Sequence, residues 1–192
     1  STLMAKSESK MMLGKFIVGR SKENLVRCPK TGFLIMSLEK EFWTGKMTYT
    51  HMLMNGEDYD SYNRQPIYRY NSYFGIDSVY YFDLREISES RKLDMAGVVA
   101  NSLRVMLARG SHKQSSPRGA MKPWALELMQ KTDTLAFISY LASDGYPVIV
   151  PCIQLQAADS DTLVLSNAPY KTELSNIPAG ARVAVFGANL KF

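Results

Sequence analysis

Between Leu165 and Gly180 the chain reads "LSNAPYKTELSNIPAG", placing Ser166, Asn167, Lys171 and Thr172 close together after a short apolar strand. Hydroxyls, an amide and an ammonium in this spacing are donors that suit a phosphate dianion. The backbone N–H groups at the start of "YKTELSN" would point at it as the first turn of a helix does. The same residues also make an ordinary strand-to-helix turn, and local chemistry leaves both readings open. Beside them, "VPCIQL" sets Pro151, Cys152, Ile153 and Gln154 along a strand that could border a flat ligand.

A second candidate lies in "NRQPIYRYNSYFGI", where Arg64, Tyr68, Arg69, Tyr70, Asn71 and Tyr73 interleave rings and cations. Such a stretch can stack on a planar ligand or hold an anionic substrate, and Arg69 is its candidate binding residue. The alternative is a strand with tyrosines in the core and arginines in solvent. Other chemistries are poorly supplied. Cys28 and Cys152 are far apart with no CxxC spacing, which gives neither a disulfide framework nor a metal knuckle. His51 and His112 are the only histidines, too few for a multi-histidine metal site and a poor basis for a histidine triad.

The elements that must position these residues follow from their periodicities. "KFIVGR", "NLVRCP", "FLIMSL" and "KMTYTHMLM" read as strands after a frayed, polar start of ten residues. "NGEDYDSYN" reads as an acidic loop, and "IYRYNSYFGIDSVYYFDLREI" as two strands broken near Gly75. From Ser90 the apolar period becomes helical through Leu93, Val99, Leu103, Met106 and Leu107, with Gly110 as the stop. A shorter helix fits "KPWALELMQK", with Pro123 in its first turn. "TLAFISYLAS" and "YPVIVPCIQLQA" flank "SDGYP", a hairpin signal because Asp-Gly accepts the positive backbone angle of a tight turn. "DTLVLSN" and "ARVAVFGANLK" are further strands around the helical "YKTELSNI".

The division expected is a β-rich module with a trailing helix over residues 1–110, a linker over 111–122 and a second β module over 123–192. A weak internal echo pairs "FLIMSL" with "AFISYL", "DSVYYF" with "DTLVLS", and Ala96-Gly97 with Ala179-Gly180, as two related modules in tandem would.

The order of parts from Met121 to Gly187 resembles the pyridoxamine 5′-phosphate oxidase-like family of FMN-binding split barrels. The shared order is a helix, a strand, an acidic-Gly hairpin, a strand containing Pro, a "DTL" strand, and a segment with Lys and a following Asn. The resemblance implies a mainly β fold, a small antiparallel Greek-key split barrel with helices that forms a homodimer, with FMN in the groove between subunits. It sets Lys171 and Thr172 on the phosphate, with Ser166 and Asn167 beside them. Pro151, Cys152 and Ile153 fall on the strand facing the flavin ring, with Gln154 next to them. The chain lacks the basic residues that mark true pyridoxamine-phosphate oxidases. The implied activity is therefore a more general FMN-dependent oxidoreductase or flavin reductase, with reduced nicotinamide as the candidate donor. Beside it stands a binding module without turnover, either a flavin- or haem-binding split barrel, with His51 the haem-ligand candidate, or a dimeric scaffold.

Composition bounds these readings. A chain of 192 residues, 46% hydrophobic, can bury a substantial core. No apolar run approaches the roughly 18 residues of a membrane span, and the start "STLMAKSESKMM" has no signal-like apolar stretch, so a cytoplasmic location is expected. The net charge of +5 is spread along the chain; it suits an anionic ligand but supplies no basic face for nucleic acid.

Overall fold

The computed structural model describes residues 2–16, 20–65, 75–113 and 119–189. It is mainly β with antiparallel sheets, and it divides into two compact units. The first comprises Ser1–Ile35, Trp43–Glu89 and Ser143–Pro147; the second comprises Met36–Phe42, Ser90–Ala142 and Val148–Phe192. The hairpin tip Ser143–Pro147 belongs to the first unit, and the helix after Ser90 to the second.

In the first unit, β1 (Leu3–Ser7), β2 (Lys10–Lys15), β5 (Ser78–Ile87), β4 (Glu41–Leu53) and β3 (Lys30–Met36) follow one another across a sheet in that order. Leu13 of β2 and Met52 of β4 both lie opposite Tyr80 of β5. Because side chains alternate along a strand, both faces of this sheet become apolar. Met11, Phe33, Met47, Tyr80 and Phe82 form one cluster; Met12, Tyr62, Ile76, Val79 and Tyr81 form the other. Leu25 of α1 (Arg20–Arg27) packs against the first cluster. Tyr62 of α2 (Glu57–Arg64) is wholly buried in the second, and its hydroxyl reaches the carbonyls of Thr2 at 2.7 Å and Met12 at 3.1 Å.

Three expectations for this unit are overturned. The first ten residues are not frayed: Met4 pairs with Met12 in a β1–β2 hairpin. "NLVRCP" is not a strand, since residues through Arg27 belong to α1, whose Glu23 lies in the first turn and Arg27 in the last, where each complements the helix dipole. "NGEDYDSYN" is not a loop, since Glu57, Asp58 and Asp60 favour the first turn of α2 for the same reason, while Tyr62 supplies its anchor in the core. Of the two strands expected in "IYRYNSYFGIDSVYYFDLREI", the second is β5; the first falls on 66–74, outside the described residues.

The second unit holds a three-stranded sheet in the order β11-β7-β8, formed by β7 (Leu135–Leu141), β8 (Pro147–Pro151) and β11 (Ala184–Ala188). A two-stranded ladder joins β9 (Gln156–Ala157) to β10 (Leu163–Val164). Phe186 lies opposite Phe137 in the antiparallel β11–β7 pair. The Asp-Gly turn forms as expected, with Gly145 at φ 78°. "YPVIVPCIQLQA" does not run as one strand; it turns after Pro151, where Leu155 N–H donates to Cys152 O at 2.9 Å.

The helix after Ser90 begins later than its period suggests. Arg91–Lys92 forms β6, paired with Glu41 and Phe42, and α3 spans Met95–Ala108. Asp94 caps α3 by accepting from Gly97 N–H at 2.9 Å. Gly110 does not stop the helical path, because a 3₁₀ turn continues over Arg109–His112. α4 (Pro123–Gln130) starts at its proline, and α5 is the five-residue Lys171–Ser175.

The echoed segments do not occupy matching positions. β5 has ten residues and β10 two, while Ala96-Gly97 lies in the first turn of α3 and Gly180 in a turn at φ 79°. Among the described residues the strands close no barrel, and no helix is long and apolar enough to cross a membrane.

Candidate functional site

In the second unit, "ESRKLD" and "NAPYKTE" come together although some eighty residues separate them in sequence. Pairing of Phe42 with Arg91 and of Glu41 with Lys92 holds the first segment in β6. A 3₁₀ turn over Ala168–Tyr170, fitted by Pro169, leads directly into α5. Two contacts fix this second segment: the buried Tyr170 ring meets Phe42 edge-on at 6.3 Å, and the Tyr140 hydroxyl donates to Glu173 O at 2.8 Å.

The result is a cleft of about 710 Å³ lined by Phe42, Arg91, Lys92, Lys171, Thr172 and Glu173 together with the 3₁₀ turn. The Arg91 guanidinium lies 4.9 Å from the Phe42 ring centroid and donates from Nη1 to Glu173 Oε1 at 2.5 Å. Its Nε is buried and, among the described residues, has no hydrogen-bond partner. A buried donor in this state is costly. Among the described residues, three cations against one carboxylate leave the cleft positive. Burial pushes the Tyr170 phenol up to about 12, against the opposing pull of Arg91, so it stays protonated near neutral pH. This chemistry suits the binding of an anion rather than proton transfer.

Only part of the sequence-derived set lines this cleft. Lys171 and Thr172 do, both exposed. Ser166 is committed elsewhere: its hydroxyl donates to Asn101 Oδ1 at 2.7 Å and accepts from Ala168 N–H at 3.3 Å. Asn167 is exposed at the entrance to the 3₁₀ turn and is not among the lining residues. α5 is too short for an aligned dipole of any size, so the cations and not the helix start carry the attraction.

Pro151, Cys152, Ile153 and Gln154 are buried and present no open wall to the cleft. Cys152 N–H donates to Ala136 O at 2.8 Å, and burial pushes its thiol up to about 12. Gln154 Nε2 donates to Ser166 O at 2.7 Å, while its buried Oε1 has no partner among the described residues. Arg69 lies outside the described residues. His51, in the first unit, stacks on Tyr81 at 4.5 Å.

Sequence reasoning missed Phe42, Arg91 and Lys92. The adjacent cations of "SRKLD" were their only signal, hidden within a segment read as helix. No protein-family model matches the chain, nor does any curated protein or solved structure.

Proposed function

We propose that the protein binds FMN through its phosphate at the Arg91–Lys171 cleft, as a split-barrel flavoprotein of the pyridoxamine 5′-phosphate oxidase-like kind. The observation that carries this reading is the convergence of Arg91, Lys92, Lys171 and Thr172 on one cleft. Arginine and lysine provide charge-assisted donors to phosphate oxygens, with Thr172 as a neutral donor. Bound flavin would supply hydride or electron transfer, with reduced nicotinamide as donor; the role of these residues is to hold the phosphate and neutralise its charge. A homodimer with the ring in the groove between subunits completes this reading, because the cleft itself favours only the phosphate end.

A second reading is a non-catalytic flavin-binding or scaffold protein. Burial of Pro151, Cys152, Ile153 and Gln154 favours it, since those side chains offer no face to a ring. One experiment separates the two. The purified protein is mixed with FMN, freed of excess by gel filtration, and its spectrum recorded before and after anaerobic addition of reduced nicotinamide. Retained flavin bands that bleach support the oxidoreductase, and retained bands that persist support the binding module. A colourless protein refutes FMN binding.

A further inference from the structure

We infer that the second unit contains a separate site for a single-chain alkyl carboxylate, in the apolar cavity beneath α3 with Lys40 at the anionic head. The cavity measures about 630 Å³, within the range of small-molecule sites, and is distinct from the cationic cleft, with which it shares no lining residue. Met36, Leu38, Leu93, Leu135 and Ile153 line it together with a stripe of α3. That stripe, Met95, Val99, Leu103 and Met106, recurs at helical spacing and is flanked by the buried Val98, which lines the cavity as well. An exposed helix side is normally polar, yet these four residues are 38%, 58%, 53% and 40% exposed.

The chemistry of the lining selects the ligand. Among the described residues it contains no aromatic ring, so nothing stacks on a planar molecule; methionines and branched aliphatics suit a flexible hydrocarbon chain. The charged lining residues described are Lys40 and Asp133, so an anionic head must lie against Lys40 and away from Asp133. Lys40 also has a positive φ, 68°, a conformation costly for a side-chain-bearing residue. Two backbone hydrogen bonds hold it there: its N–H donates to Ser37 O at 3.1 Å, and Leu93 N–H donates to its carbonyl at 2.9 Å. Glycine would take this position without strain, so what lysine adds is an exposed, charged side chain in the cavity lining.

The test is calorimetric titration with octanoate, decanoate and dodecanoate below their micelle concentrations, with dodecanol as the neutral control. Saturable binding should tighten by up to about fourfold per added methylene, as roughly 0.8 kcal/mol per buried methylene implies. Lys40→Gly, which relieves the backbone and so keeps the fold, should weaken dodecanoate about tenfold and leave dodecanol unchanged, while Leu103→Gln should weaken both. Absence of saturable binding, affinity independent of chain length, or equal dodecanoate binding by the parent and Lys40→Gly would each overturn the inference.

Discussion

Replacing Arg91 by methionine separates what its guanidinium does for the fold from what it does for a ligand. In the fold, Arg91 pairs with Glu173, but the two side chains are 39% and 25% exposed, so screening limits the pair to at most about 1 kcal/mol. Its position over Phe42 adds about 0.5–1 kcal/mol, part of which methionine keeps through its own contact with the ring. The expected loss of stability is therefore about 1 kcal/mol, seen as a small fall in the urea midpoint. Phosphate binding should suffer more. Losing a charge-assisted donor costs about 1.5–3 kcal/mol, or roughly a 10- to 150-fold rise in Kd. Glu173→Gln should act in the opposite direction, because it frees Arg91 and removes the one carboxylate of the cleft. Quenching of flavin fluorescence on titration with protein reads both variants, and raised salt should shrink the difference between them. If Arg91→Met binds FMN within twofold of the parent, or Glu173→Gln binds more weakly, the cleft does not hold the phosphate.

Three other outcomes follow from the packing. Cys28 is exposed whereas Cys152 is buried with its thiol pushed up to about 12, so an aromatic disulfide reagent should titrate one thiol rapidly in the native protein and both in urea. A Cβ at Gly45 would press on the Phe33 ring and the Glu86 carbonyl, so Gly45→Ala should destabilise the first unit by about 1–3 kcal/mol in urea unfolding. The Lys6 ammonium, and after it the Tyr81 hydroxyl, hold the Asp58 carboxyl below its ordinary range despite the opposing effect of burial. A folded-state value below the unfolded one stabilises above the unfolded value and is lost as pH falls through the folded value. Asp58→Asn should therefore lose less stability than the parent between about pH 5 and about pH 2.

The fold was legible where the signal was local and strong. β7, the Asp144-Gly145 turn and the start of α4 at Pro123 each follow from a few adjacent residues whose backbone preferences permit little else. α1 and α2 were not legible, because each is eight residues long and mostly polar. For α2, the burial of Tyr62 that anchors it depends on strands distant in sequence. The site shows the same contrast. Lys171 and Thr172 line the cleft that their types suggested, but Ser166, equally suitable by type, spends its hydroxyl on Asn101.

The β-rich character, the spread positive charge and the cluster of polar donors near Lys171 were readable from the chain alone, since each resides in composition or in neighbours a few residues apart. That Arg91 and Lys92 stand with Lys171, and that Pro151, Cys152, Ile153 and Gln154 are buried away from that cleft, follows from tertiary packing alone. Propensities act over a few residues. Which side of a strand is covered, and which cations share a cleft, depends on elements folded from distant parts of the chain.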